Sequence, residues 1–237
     1  MQAVILAGGL GMRLRPLTNT IPKPMINIHG RPFLEYIIEV LQKNDITDVL
    51  LLTGFLGEAI EQHFGDGSKF GVHINYSIEP EPLGVSGALC LAYPKLADSF
   101  LLLYGDSFLP LNYRDLVRFF KESNKQAVVV VYQYKNDADR GDDYPYNLCV
   151  DAAGHITGYK QRGIVGGTHA EGGAMVFQKE VIKLLSGKYS NAFGEVLFPN
   201  LIQRKELVTY PSENRFLDIG TPLRLKKAEA FFRDYTL

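Results

Sequence analysis

The sequence predicts an α/β fold, a three-layer sandwich with a mostly parallel central sheet, and three observations carry the expectation. Short runs of Val, Ile and Leu, such as residues 3–7 and 100–104, are apolar on both faces of an extended chain. Strands of that kind are covered by helices on either side. Between them lie stretches with apolar residues at 3.6-residue spacing, and alternation of strand and helix at this rhythm implies right-handed βαβ crossovers. After about Asn136 the rhythm gives way to short strands around turn signals, which marks a small β-rich insertion in an otherwise Rossmann-like sandwich.

Taken in order, residues 3–7 form the first strand. Phe33-Leu34, Ile37-Ile38 and Val40-Leu41 repeat at helical spacing and carry a helix to Asn44. A strand follows at 48–53, a short helix at 56–64, a strand at 72–78 and a helix at 87–96. Residues 100–104 make a central buried strand ending at Gly105-Asp106, and a helix at 113–122 with a strand at 127–133 completes the first half. Within the insertion, strands at 147–151 and 156–160 flank the turn Ala152-Ala153-Gly154-His155, and a third occupies 173–177. Helices at 179–185 and 193–204, an extended segment at 216–220 and a closing helix at 223–233 follow. The Asp- and Asn-rich stretch 136–143 reads as a mobile loop. No repeat or low-complexity linker divides residues 1–237, which read as a single domain.

Composition narrows the function classes. With 237 residues, 46% of them hydrophobic and 22% charged, the chain has ordinary globular content and enough length for a large core. The 25 basic and 26 acidic residues give a net charge of −1. No global field recruits nucleic acid or an anionic membrane, so anion binding must be local. Neither a transmembrane-length apolar run nor a signal-peptide pattern is present, and the expected location is cytoplasmic. Cys90 and Cys149 lie in apolar segments and read as core filler. His29, His63, His73, His155 and His169 lack the spacing of a zinc site.

The densest chemical signal lies in residues 1–25. The first strand breaks into Gly8-Gly9-Leu10-Gly11, where backbone N–H groups can turn toward an anion. A tight βα connection would need glycine for steric reasons alone. The crowding of Arg13, Arg15 and Lys23 after the turn, with Pro16, Pro22 and Pro24 stiffening the chain, shifts the reading to a polyanion site. Its spacing fits neither the dinucleotide fingerprint nor the Walker loop. In a parallel sheet, ligands sit outside the carboxyl ends of the strands, which groups residues 8–13, 79–87 and 105–106. Asp106, after a buried strand, would be a metal ligand or a helix cap, and spacing alone does not choose. Asp218 likewise sits among apolar neighbours.

Leu6-Ala7-Gly8-Gly9-Leu10-Gly11-Met12-Arg13-Leu14-Arg15-Pro16-Leu17-Thr18, followed by Pro22-Lys23-Pro24-Met25, closely resembles the signature of the sugar-1-phosphate nucleotidyltransferases. Three further motifs follow in family order: Glu79-Pro80-Glu81-Pro82-Leu83-Gly84-Val85-Ser86-Gly87-Ala88, Gly105-Asp106 and Asp218-Ile219-Gly220-Thr221-Pro222. The resemblance implies a GT-A-like nucleotidyltransferase fold, with a nucleotide-binding half at about 1–135 and a sugar-phosphate-binding half at about 136–237. It implies that a sugar 1-phosphate attacks the α-phosphorus of an NTP directly, giving NDP-sugar and pyrophosphate with Mg²⁺. Arg13 and Lys23 are then the catalytic groups. Leu6, Ala7, Gly8, Gly9, Gly11, Met12, Arg13, Glu79, Pro82, Leu83, Gly84, Gly87 and Asp106 bind the nucleotide, and Asp106 and Asp218 hold the metal.

The sequence departs from the family in places. Met12 replaces the usual Thr or Ser hydroxyl, and Val85 a common Thr. The 79–88 loop is most similar to mannose-type guanylyltransferases and short heptose relatives, so GTP is the expected nucleotide, with Glu81 a candidate acceptor for the base. The usual Glu-Lys pair is shifted at Lys160-Gln161, and Glu171-Gly172-Gly173 stands where the family has Asn-Ala-Gly. Lys160 or Arg162 is expected at the sugar phosphate, with Glu171 and Gly173 at the sugar; exposed side chains without a ligand are the competing reading.

Other functions compete. One is a uridylyltransferase for an aminosugar or glucose 1-phosphate, and another a catalytically silent nucleotide-binding partner subunit. The second sits poorly with intact Arg13, Lys23, Asp106 and Asp218. An NAD-dependent oxidoreductase lacks its glycine fingerprint and shows Thr53-Gly54 where a ribose-binding acid is needed. The expected partners are an NTP and a sugar 1-phosphate, with no nucleic acid and no membrane. A homodimer through residues 136–173 is compatible with the sequence.

Overall fold

The computed structural model describes residues 1–134, 145–152, 154–185 and 193–235. Its strands are β1 (Gln2–Leu6), β2 (Asn27–Ile28), β3 (Arg31–Pro32), β4 (Asp48–Thr53), β5 (His73–Ile78), β6 (Ser99–Tyr104), β7 (Ser107–Phe108), β8 (Ala127–Tyr132), β9 (Leu148–Val150), β10 (Ile156–Tyr159), β11 (Ala170–Gln178), β12 (Leu207–Ser212) and β13 (Leu217–Asp218). Its helices are α1 (Phe33–Lys43), α2 (Gly57–Phe64), α3 (Gly84–Ala92), α4 (Tyr113–Ser123), α5 (Phe193–Gln203) and α6 (Pro222–Asp234).

Seven strands form one sheet in the order β12-β8-β11-β6-β1-β4-β5, parallel except for β11. Successive side chains of a strand point to opposite faces. Ala3, Ile5, Val49, Leu51, Leu101 and Leu103 accordingly join one apolar layer with α1, α4 and α6. Val4, Leu50, Leu52 and Leu102 join the other, with α3 and α5. Leu6 registers with both Leu52 and Tyr104, so β1, β4 and β6 end level. The chain continues just past that edge, where Ala7 N–H donates to Leu52 O at 2.8 Å and Gly105 N–H to Leu6 O at 2.9 Å.

The closing helix is fastened by aromatic packing. The Phe232 ring centroid lies 4.1 Å from Tyr36 and 5.0 Å from Phe108. Emptying such a core position costs about 3–5 kcal/mol. Thr221 caps α6, its Oγ1 accepting from Arg224 N–H at 3.3 Å. The short β7–β13 pair, with Asp218 opposite Ser107, then delivers Asp218 to the sheet edge.

Four elements differ from the sequence expectation. The third helix begins at Gly84 rather than 87, so Ser86 and Gly87 are buried inside it. The 173–177 strand is the centre of β11, which lies in the main sheet antiparallel to both β6 and β8. Met175, Val176 and Phe177 are apolar on both faces and demand that central place, leaving β9 and β10 as the separate hairpin. β12 lies outside the sequence expectation because Thr209, Pro211 and Ser212 obscure its pattern, yet proline is tolerated on an edge strand. Residues 179–185 are a 3₁₀ helix rather than an α-helix. The loop expected at 136–143, and Ala153 in the hairpin turn, lie outside the described residues. No helix among the described residues is long and apolar enough to cross a membrane.

Candidate active site

The level ends of β1, β4 and β6 open into a cavity of ≈ 460 Å³, lined by residues 6–12, Lys23, Leu52, Glu79, Pro82, Gly84, Tyr104 and Asp106 among others. That size suits a small-molecule ligand. Gly11 O accepts from Leu14 N–H at 2.9 Å and Thr18 Oγ1 at 2.8 Å, fixing the turn that carries Met12 and Arg13. Met12 is 62% exposed at the cavity mouth. The Glu79 carboxyl wedges between two glycines: a Cβ at Gly8 would lie 2.5 Å from its Oε1, and one at Gly54 2.6 Å. Its Oε2 accepts from Leu83 N–H at 3.1 Å. Burial pushes the Glu79 pKa upward, with the Leu83 N–H opposing.

A second cavity of ≈ 410 Å³ shares Tyr104 and Asp106 with the first and adds Arg13, Asn147, Tyr159, Gln161, Glu171, Gly173, Asp218 and Arg224. Between the two, the buried Lys23 ammonium is ion-paired with Asp106. Asp218 is buried, and its Oδ1 accepts from Gly220 N–H at 2.6 Å while Arg224 Nη1 lies 3.2 Å from Oδ2. Burial raises the Asp218 pKa and the Asp106 charge adds to the rise, against the Gly220 N–H, Arg224 and Lys23. The Arg13 guanidinium stands beside this motif, since a Cβ at Gly220 would lie 3.0 Å from its Nη2.

These carboxylates fit a hard divalent cation. Asp106 and Asp218 face one cavity and feel each other's charge. Among the described residues no group of three or more His, Cys, Asp or Glu could hold a metal. Two protein carboxylates with the remaining positions left to phosphate and water is the arrangement Mg²⁺ favours.

The structure therefore gathers Leu6, Ala7, Gly8, Gly9, Gly11, Met12, Lys23, Glu79, Pro82, Gly84 and Asp106 at the first cavity, and Arg13, Glu171, Gly173 and Asp218 at the second. Leu83 contributes its N–H to Glu79 but does not line the cavity, and Gly87 is enclosed in α3. Glu81 is exposed and outside the lining, leaving Glu79 as the acidic side chain facing the first cavity next to the glycine turn. Lys160 and Arg162 are exposed and outside the second cavity, where Gln161 between them takes the place. Sequence reasoning missed Tyr104, Tyr159, Asn147 and Arg224. Only Arg224 carried a local signal, being a cation in the first turn of the helix that follows Asp218.

The Nucleotidyl transferase family profile matches residues 2–142. The D-glycero-alpha-D-manno-heptose 1-phosphate guanylyltransferase of Aneurinibacillus thermoaerophilus is 31% identical over 238 residues, covering 99% of this chain and 100% of the relative. Mannose-1-phosphate guanyltransferase beta-A of Xenopus laevis is 29% identical, with 94% of this chain matching 62% of that protein. Among solved structures, HddC from Yersinia pseudotuberculosis complexed with GMP-PN superposes with a TM-score of 0.77 at 25% identity, covering 98% of this chain and 99% of that one.

Proposed function

Since the chain belongs to the nucleotidyl transferase family, we propose that it transfers a guanylyl group from GTP to a mannose- or heptose-type sugar 1-phosphate. A phosphate oxygen of the sugar 1-phosphate attacks the α-phosphorus of GTP. The bond from that phosphorus to the bridging oxygen breaks, and pyrophosphate leaves with the electron pair. The observation that carries this reading is the meeting of two cavities at the Lys23–Asp106 pair, one behind a glycine turn and the other flanked by Arg13 and Arg224.

Transfer at phosphorus leaves the protein to position the reactants and to neutralise developing charge. In this reading the turn 8–11 offers backbone N–H groups to the triphosphate, and Arg13 its planar fork. Lys23 supplies a point charge where the two phosphates meet. Asp106 and Asp218 would hold Mg²⁺, which when bound offsets negative charge on the phosphate oxygens. Glu79 favours guanine, whose N1–H and exocyclic amine are donors for its carboxylate. A site built around that acceptor rejects a base that leaves it unpaired. The guanylyltransferase relatives support the same base.

Pyrophosphate release with GTP, UTP, CTP, ATP and dTTP against mannose, glucose and heptose 1-phosphates tests the proposal. We expect kcat/KM for GTP to exceed that for the other nucleotides by at least about 10-fold. Preference for a pyrimidine overturns the base assignment, and no turnover with any pair overturns the reaction.

A further inference from the structure

Among the described residues, the lysine and arginine side chains that line the second cavity are Arg13 and Arg224. The triphosphate takes Arg13 in the proposed reaction, which leaves Arg224 as the cation for the second substrate. The segment expected to supply a cation here does not do so. Lys160 N–H donates to Asn147 O at 3.0 Å, Gly163 N–H to Lys160 O at 2.9 Å and Gln161 N–H to Glu195 Oε1 at 3.2 Å. The turn held in this way brings Gln161 to the cavity and leaves Lys160 and Arg162 exposed outside its lining.

Arg224 stands on the first turn of α6, six residues after Asp218, and its side chain is 12% exposed against 8% for Asp218. A cation in the first turn opposes the helix dipole, and a buried guanidinium is costly without an anion. Helix stability therefore does not account for an arginine at this position. Asp218 offsets part of the cost through one nitrogen, Nη1 lying 3.4 Å from Oδ1 and 3.2 Å from Oδ2. That pair does not use the two-nitrogen fork that a guanidinium offers to a carboxylate or a phosphate. Arg13 crowds the same place: a Cβ at Gly220 would lie 3.0 Å from its Nη2 and 2.6 Å from Asp218 Oδ1. Two guanidiniums thus meet one carboxylate at the cavity wall, a local excess of positive charge that a further anion neutralises.

Resting on the sugar-1-phosphate reading above, we propose that Arg224 binds the phosphate of the sugar 1-phosphate, taking the part that the sequence expects of Lys160 or Arg162. Its planar fork donates to two terminal phosphate oxygens. Because Arg224 is tied to Asp218, the phosphate it holds stands on the side of the cavity that carries the Asp106 and Asp218 carboxylates. That is the side from which the attacking oxygen reaches the α-phosphorus in the proposed reaction. A cation on the exposed 160–162 turn has no such tether.

The test measures calorimetric binding of mannose, glucose and heptose 1-phosphates, competition by inorganic phosphate, and steady-state kinetics with GTP. It compares wild type with Arg224→Gln, Arg224→Lys, Lys160→Ala and Arg162→Ala. For the sugar 1-phosphate that wild type binds most tightly, Arg224→Gln is expected to raise Kd and KM about 10-fold to 100-fold, the range for a lost charge-assisted bond, with KM for GTP unchanged. Inorganic phosphate should compete with that ligand in wild type and weaken by a similar factor in Arg224→Gln. Arg224→Lys keeps the charge and loses the fork, so a smaller rise, up to about 10-fold, is expected. Lys160→Ala and Arg162→Ala should change Kd by less than about 5-fold, as exposed charges do. An arginine that served only to hold Asp218 would raise the Mg²⁺ concentration needed for half-maximal rate and leave both phosphate affinities intact, and that outcome overturns the proposal. A larger rise in Kd for Lys160→Ala or Arg162→Ala than for Arg224→Gln also overturns it, as does unchanged affinity in Arg224→Lys where Arg224→Gln fails to fold. If wild type binds a sugar 1-phosphate without turnover, the reaction assigned above fails and the binding series still decides the role of Arg224. Absence of binding of all three to wild type overturns both.

Discussion

The Lys23 ammonium rests on the Asp106 carboxylate, joining the proline-flanked turn after the glycine loop to the end of the central strand. Lys23 lines the first cavity and Asp106 both, so the pair occupies the seam between the two cavities. Lys23→Ala should therefore impair the chemical step more than nucleotide binding. A drop in kcat of roughly 10²-fold, with a much smaller change in KM for GTP, is the expected signature of an interaction made in the transition state. A defect confined to KM would reduce Lys23 to ground-state binding.

If Asp106 and Asp218 hold Mg²⁺ as proposed, Asp106→Asn and Asp218→Asn each remove one of its two anionic protein donors. Each should lower turnover by roughly 10²-fold to 10³-fold and raise the Mg²⁺ concentration needed for half-maximal rate. Chelation with EDTA should abolish wild-type activity and restored Mg²⁺ should recover it. Near wild-type rates for both variants at limiting Mg²⁺ would remove the metal assignment.

Glu79→Gln keeps the shape of the wedge between Gly8 and Gly54 but replaces a charged acceptor with an amide. It should reduce kcat/KM for GTP by roughly 10-fold to 100-fold while changing UTP much less, because a pyrimidine does not present guanine's paired donors. Equal losses for all nucleotides would make Glu79 a purely structural residue.

Gly194→Ala tests the packing behind the second cavity, from outside it. The new Cβ would meet Tyr159 at 2.8 Å, so the ring must shift and disturb its hydroxyl contact with Glu171. The expected result is a raised KM for the sugar 1-phosphate, an unchanged KM for GTP, and a loss of stability of about 1–3 kcal/mol from overpacking. A melting curve and a sugar titration together check it.

Burial pushes the Glu171 pKa from 4.5 up to about 7, with Tyr159 and Tyr104 hydroxyls opposing the rise. An acid with a raised folded pKa binds its proton more tightly in the folded state. Stability from this group is fully present below pH 4.5, declines as pH rises through the window from 4.5 to about 7, and stays low above it. At about 1.4 kcal/mol per pH unit the cost reaches up to about 3 kcal/mol. Glu171→Gln should lack that slope, so denaturant melts at pH 5 and pH 8 should show the variant gaining on wild type as pH rises. Parallel pH dependence in both proteins would refute the shift.

Much of the architecture was legible in the sequence. Six of the seven main-sheet strands follow from their apolar runs, and the apolar spacing of 33–43 defines its helix, because a strand or helix face repeats locally whatever it packs against. The glycine turn and Lys23 were legible for a similar reason, since residues close in sequence stay close in space. Gly84 and Gly87 show the limit: the family resemblance implies both at the nucleotide, yet the helix starts three residues early and encloses Gly87. Helix starts without a capping side chain leave no clear mark, and Leu83 provides none here.

What the sequence determined by itself is the rhythm of elements and the grouping of three motifs at the carboxyl edge of a parallel sheet. The tertiary structure decided the far half of the site. Strand order and direction depend on long-range packing, and the placement of β11 between β6 and β8 is what sets Glu171 beside Tyr104, 67 residues earlier in the chain. Register decides which of several consecutive side chains faces the ligand space, which is why Gln161 lines the cavity and its cationic neighbours Lys160 and Arg162 do not. Local periodicity cannot encode either choice, because both are settled by surfaces that meet only when the chain has folded.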